Sequence, residues 1–370
     1  MKHKATTLIT LGLVASLSGL GLSACGTSAE NTQNATDGAT NAVEQLPARG
    51  DAPDPHTLQG PSSAQPVGDI EPVTEAAQPQ LPVSFSDATG TPVEVTDVSR
   101  ILALDMYGTL SRTVSGLGLG ENIVGRTVSS EEPALADLPV VTESGHSLNA
   151  EAILQLRPSV VLVDESVGPP EVIQQIRDAG VPVAVLDPRR NRDSLEDDIT
   201  LVAGALGVRE EGKALAERTR AQMEQASTEV SDLAPYGDDR LRMAYLYMRG
   251  NGGVFFILGQ GSGADGMIEA LGGRDVASEA GIVDVKPANA ESLAELNPEV
   301  IVVMEKGLES VGGVEGLLAR PGVAQTEAGK NRRIVSLPDS EAISMGPQAG
   351  LSLVRAAQAV YLGEDAGANQ

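Results

Sequence analysis

A chain of 370 residues exceeds what one small core usually supports, and at roughly 100–200 residues per domain it points to two folded units. With 51 acidic against 26 basic residues, a formal charge of −25, it would repel a phosphate backbone and an anionic lipid surface alike, which argues against a sequence-independent nucleic-acid binder. Aromatic residues make up 2% of the chain with no tryptophan, and the single cysteine excludes an internal disulfide and, with it, zinc-ribbon and thioredoxin-like sites.

Residues 1–24 have the layout of a secretory signal: Lys2 and Lys4, then an apolar stretch from Leu8 to Leu22 broken by Ser and Gly. Those breaks, and the small residues that close the stretch, disfavour a membrane-spanning helix. Leu22-Ser23-Ala24-Cys25 follows directly and resembles a bacterial lipobox, which implies cleavage before Cys25 and lipid attachment at its thiol. Such an anchor places the protein on the outer face of the cytoplasmic membrane, held by lipid and not by surface charge. Residues 26–80 carry no aromatic side chain and one Arg, Arg49, among Ala, Gln, Pro, Ser, Thr and Asp. A segment with so little apolar surface cannot offset its ordering entropy. Residues 25–80 are therefore expected as a lipidated Cys and disordered tether spanning roughly 40 Å, with His56 a solvated residue inside it.

Beyond residue 80 the pattern changes to short Val/Ile/Leu runs at 99–105, 159–164, 182–187, 242–247 and 299–304, alternating with helical stretches. Continuous apolar runs between helices indicate parallel strands covered on both faces, an α/β class. An internal repeat is more informative: Glu151-Ala-Ile-Leu-Gln-Leu-Arg-Pro-Ser-Val-Val-Leu-Val163 aligns with Glu291-Ser-Leu-Ala-Glu-Leu-Asn-Pro-Glu-Val-Ile-Val-Val303 at an offset of 140. Each copy reads as a short helix, a Pro that stops it and a buried strand. The expectation is two Rossmann-like lobes with central parallel sheets, 81–190 and 233–363, followed by a tail at 364–370. Between the lobes, residues 191–232 read as helix, with Leu195, Ile199, Val202 and Leu206 on one face, so a long rigid helix joins them.

Lipobox, spacer, paired α/β lobes, helical bridge and the L-x-P-x-x-V-V repeat together resemble the substrate-binding lipoproteins of ABC importers for haem, cobalamin and ferric siderophores, over residues 81–362. The resemblance implies a ligand cleft between the lobes and an ABC permease with its ATPase as partners. It also implies that a glutamate at each lobe tip docks on the permease, here Glu151 and Glu291. A carboxylate at those positions also suits a helix N-terminus on its own account.

Residues 81–363 contain one histidine, His146, in the loop before the first repeat helix. In haem-binding members the resemblance places an iron ligand at this loop, and imidazole is an ordinary haem ligand. In the second lobe, Tyr245, Tyr247 and Arg249 share one face of a strand of period two, with Arg249 nearest the carboxyl end where ligands of open α/β sheets collect. Holding a tyrosine as phenolate near pH 7 needs roughly 4 kcal/mol of differential stabilisation. Ferric iron supplies that, with a guanidinium two residues on donating to the phenolate oxygen. Tyr247 thus has the chemistry of a ferric haem ligand supported by Arg249, and Tyr245 is expected deeper in the pocket wall with its hydroxyl satisfied. His146 with Tyr-x-Arg is similar to the haem-binding group of the family, in which a methionine matching Met304 approaches the macrocycle.

The expected ligand is therefore ferric haem b, handed over by surface receptors and held between His146 and Tyr247, with a ferric siderophore or cobalamin as the alternative. A bare Mn or Zn carrier would need more His ligands than these lobes contain. No Gly-x-Ser-x-Gly elbow and no His pair at metal spacing is present, so no catalytic residue is assigned and an enzyme is not expected. Gly259-Gln-Gly-Ser-Gly263 lacks the Lys of a phosphate-binding loop and reads as a tight turn.

Overall fold

The computed structural model describes residues 43–143, 145–187, 191–250, 253–343 and 345–363. The signal segment, Cys25 and the 364–370 tail lie outside the described residues.

The first lobe is built on a four-stranded parallel sheet in the order Ile123–Gly125, Ile101–Leu104, Val160–Val163, Val183–Val185. All residues of the two central strands are buried. Ile101, Ala103, Val160 and Leu162 face one core layer, while Leu102, Leu104, Val161 and Val163 face another. Covering on both faces is why these strands read as continuous apolar runs without alternation.

In the second lobe, Arg242–Arg249, Val300–Met304 and Ile334–Leu337 run parallel through the middle of the sheet. The central strands are parallel as expected, and two further strands at one side run antiparallel. Val254–Leu258 pairs antiparallel with Arg242–Arg249, and Val285–Pro287 antiparallel with Val254–Leu258. Arg249 is paired directly with Val254, and so few residues intervene that the crossover needed for a parallel neighbour cannot fit.

The segment expected as tether is, from residue 43 onward, part of the folded body. Val43 and Ala64 are buried in the core of the second lobe, and Ile70 in that of the first. Ser62–Ser63 adds a parallel edge to Ile334–Leu337, pairing Ser62 with Val335. Arg49 donates from Nε to the Ala234 carbonyl at 2.8 Å. His56 is likewise not a free linker residue: its Nδ1 lies 3.0 Å from Glu299 Oε1 and its Nε2 3.0 Å from the Asp239 carbonyl. Composition speaks to whether a segment can build its own core. This one builds none, and instead adds isolated apolar side chains to the cores of the two lobes and a strand to the edge of one sheet.

The helical bridge consists of two helices, the second of them the long one. Leu195–Leu206 ends at Gly207, which takes a left-handed conformation at φ 73°, and Arg209–Leu233 follows. A side chain at Gly207 would bring Cβ to 2.7 Å from the Gln80 carbonyl oxygen, so the turn requires glycine. The second helix has 25 residues, about 37 Å at 1.5 Å per residue. Its buried stripe is divided: Leu215 and Ala216 enter the core of the first lobe, and Met223, Ala226, Val230 and Leu233 that of the second. A further tie comes from buried Arg112, whose Nη1 donates to Gln348 Oε1 at 2.6 Å and whose Nη2 lies 3.8 Å from Glu341, both in the second lobe.

Candidate ligand-binding cleft

His146 owes its position to a small hairpin. Thr142–Glu143 and Ser147–Leu148 pair antiparallel, and Gly145 lies in the connecting loop at φ 93°, a conformation open to glycine at no steric cost. The loop carries His146 outward with its side chain exposed, while its carbonyl accepts from the Gly168 amide at 3.1 Å. Asn149 then caps the helix Ala150–Gln155, its side chain accepting from the Ala152 amide at 2.9 Å.

On the other lobe, the strand Arg242–Arg249 alternates as a pleat must. Ala244, Leu246 and Met248 point into one core layer, Tyr245 and Tyr247 into the other. Tyr245 is fully buried and does not line the cleft, and its hydroxyl has no hydrogen-bond partner, contrary to the expectation of an internally satisfied group. Burial pushes its phenol pKa well above the ordinary value, and the nearby Asp339 carboxylate adds to that. Two residues on, Tyr247 is only partly buried and does line the cleft. The parallel register pairs Leu246 with Val303, which sets Met304 beside Tyr247 at the same carboxyl end.

Arg249 is engaged differently from expectation. Its guanidinium pairs with the Asp339 carboxylate, donates to the Met248 carbonyl at 3.1 Å and touches the Met304 sulfur at 3.4 Å. Toward Tyr247 it offers a cation over the ring, with Cζ 5.1 Å from the centroid, and not a bond to the phenol oxygen. Asp339 also accepts from the Lys306 amide at 2.9 Å, so one carboxylate orients both Arg249 and the start of the helix Glu305–Ser310.

These elements enclose a cleft of about 400 Å³ between the lobes. The first lobe contributes Met106, Tyr107, Val128, Ser129, Glu131, Gly145 and His146; the second contributes Tyr247, Arg249, Met304, Lys306, Asp339, Ser340 and Ile343. An imidazole from one lobe and a phenol from the other thus face a space walled by Met, Val and Ile side chains, a setting suited to a large apolar ligand with a metal at its centre. Sequence reasoning missed Glu131, Lys306 and Asp339, which reach the cleft from distant parts of the chain. Tyr107 had a legible signal, since it stands three residues past the strand Ile101–Leu104 at its carboxyl end.

Glu151 and Glu291 are both exposed, each the second residue of a helix capped by an asparagine, Asn149 and Asn289. The Gly259–Gly263 turn is filled by the chain itself, the Asp265 carboxylate accepting from the Gly261 amide at 2.8 Å and the Gly263 amide at 3.1 Å. Among the described residues no group of three or more His, Cys, Asp and Glu could hold a bare metal ion, and no helix is long and apolar enough to cross a membrane.

Residues 106–341 match the family described as periplasmic binding protein. The chain belongs to the periplasmic binding protein family. Among solved structures, this periplasmic binding protein is similar to a variant of the haem-binding protein HmuT, with 54% identity and a TM-score of 0.81 over 85% of this chain and 97% of that one. It is also similar to the periplasmic haem-binding protein RhuT from Roseiflexus sp. RS-1 in apo form, at 36% identity and TM-score 0.65, covering 71% of this chain and 100% of RhuT. For the periplasmic haem-binding protein BhuT in complex with two haems the values are 34%, 0.63, 70% and 98%. Comparison with curated protein sequences yields no match.

Proposed function

We propose that this periplasmic binding protein captures ferric haem in the interlobe cleft, with His146 and Tyr247 as the axial ligands, and delivers it to the permease and ATPase of an ABC importer. The observation that carries this reading is the convergence of His146 and Tyr247 from separate lobes on one cleft, with Arg249 over the tyrosine ring. The solved HmuT structures add support. They include variants in which a histidine, a tyrosine or an arginine is replaced by alanine, the tyrosine and arginine standing two positions apart as Tyr247 and Arg249 do.

The role is capture and release, with no bond of the haem broken. Met304 packs against the macrocycle, and Tyr245 backs the pocket wall from within the core. Arg249 sets its charge over the Tyr247 ring, while Asp339 keeps the guanidinium in place. Glu151 and Glu291 dock on basic residues of the permease, their matched placement one helical residue inside each cap serving a two-lobed partner. Lipid at Cys25 holds the protein on the outer face of the cytoplasmic membrane, where surface receptors hand over haem.

Titration of the protein with haemin, followed by absorption for the parent, His146→Ala and Tyr247→Ala proteins, tests the reading. A saturable one-to-one complex altered by both substitutions is expected. An effect of Tyr247→Ala alone would remove His146 from the ligand set. Absence of any saturable complex would transfer the cleft to a ferric siderophore or cobalamin.

A further inference from the structure

Lys306, the second residue of the helix Glu305–Ser310, forms an ion pair with Glu131 across the cleft, joining the second lobe to the first. The pair is lopsided in exposure: the Lys306 side chain is 55% exposed and that of Glu131 25%. An amine so open to water gains little from its partner, so little stabilisation is lost when the pair opens. Glu131 also differs in direction from its neighbour Glu132, which is buried and accepts from the Ser111 hydroxyl at 2.7 Å. One carboxylate of this adjacent pair serves the interior and the other serves the cleft.

Among the described residues, the Arg and Lys side chains that line the cleft are Arg249 and Lys306. Arg249 is held by Asp339 and lies against the Tyr247 ring. Lys306 is therefore the cation that an incoming anionic group can claim, on a chain whose overall charge of −25 otherwise opposes anions. Its backbone is fixed by the Asp339 carboxylate, so the side chain has a defined origin beside the support of Tyr247.

We propose that Lys306 anchors a carboxylate of the ligand and that Glu131 is a built-in stand-in for that carboxylate, displaced when the ligand enters. The inference rests on the haem reading and deepens it: the substrate class is a metalloporphyrin bearing free peripheral carboxylates, and neutral macrocycles of the same shape are discriminated against. Entry exchanges one carboxylate for another at the Lys306 amine and leaves the Glu131 carboxylate to turn toward water at the edge of the cleft.

The test compares haemin with haemin dimethyl ester, whose propionates carry no charge, by absorption titration of the parent, Lys306→Gln, Lys306→Arg and Glu131→Gln proteins. Lys306→Gln is expected to weaken haemin about tenfold, the low end for a hydrogen bond to a charged group at a partly exposed site, and to leave the ester unchanged. Lys306→Arg retains haemin affinity, and Glu131→Gln tightens haemin severalfold without helping the ester. The iron-ligand bands stay as in the parent throughout, which separates anchoring from damage to the fold. If Lys306→Gln leaves haemin affinity unchanged, or weakens haemin and ester equally, the anchor is overturned while haem binding stands. A parent protein that forms no saturable complex with either porphyrin overturns the haem reading and this inference with it.

Discussion

The Arg249 guanidinium carbon stands 5.1 Å from the centre of the Tyr247 ring while its amino end is taken by Asp339. Tyr247 is thus served by a cation whose position depends on a third residue. Asp339→Asn is expected to weaken ferric haem binding by about 10–100-fold, the range for outer partners of a metal ligand. Arg249→Ala should do at least as much and shift the charge-transfer bands, because the phenolate loses the nearby positive charge. Absorption titration measures both effects, and full affinity in Asp339→Asn would show that Arg249 needs no orienting partner.

Both ring nitrogens of His56 face acceptors, the Glu299 carboxylate and the Asp239 carbonyl, so the bonded form is the imidazolium. Burial alone would lower its pKa, but the hydrogen bonds to Glu299 and Asp239 and their charges outweigh that and raise it above 6.5. The sign follows: this contact contributes fully below pH 6.5 and is lost as pH rises through the raised value. Backbone amides of residues 56–60 are expected to exchange faster at pH 8.5 than at pH 6 after correction for intrinsic rates. In His56→Ala that difference should vanish, at the less protected level. Glu299 keeps a partner throughout, since Arg242 Nε donates to it at 3.2 Å.

Gly207→Ala places a Cβ 2.7 Å from a backbone carbonyl oxygen at a residue with φ 73°. Backbone cannot swing aside as a flexible side chain can. A loss of about 1–3 kcal/mol in urea unfolding is expected, with haem affinity unchanged in the folded fraction.

Glu151 and Glu291 are exposed at helix starts and are not among the residues lining the cleft, so haemin titration of Glu151→Lys or Glu291→Lys should match the parent. Haem uptake by cells or delivery to reconstituted permease should fall, and fall furthest in the double variant. Undiminished uptake would reduce both residues to partners of the helix dipole.

With Arg209–Leu233 packed into both lobe cores and residues 43–80 crossing beside them, haem loading is expected to change the lobe arrangement little. Scattering profiles with and without haem should nearly superimpose, and a marked compaction would contradict this.

The parts of this protein legible in its sequence are those governed by local periodicity. The repeat at 151–163 and 291–303 returns as two capped helices each leading to a buried strand, because capping and a helix-ending Pro act within a few residues. Period two on residues 242–249 correctly set Tyr245, Tyr247 and Arg249 on one face. It did not say where along that face the core ends and the cleft begins, and that boundary makes Tyr245 a core residue and Tyr247 a lining one.

What only the tertiary structure decided is the company these residues keep. Asp339 is 90 positions from Arg249, and Glu131 is 175 from Lys306, separations at which no local rule couples two side chains. Each pairing depends on sheet register in one lobe, or on how the long helix sets the lobes against each other. Residues 43–80 show the same limit from the other side: their composition allows no core of their own, but packing against the lobes needs only a few apolar side chains and one strand edge.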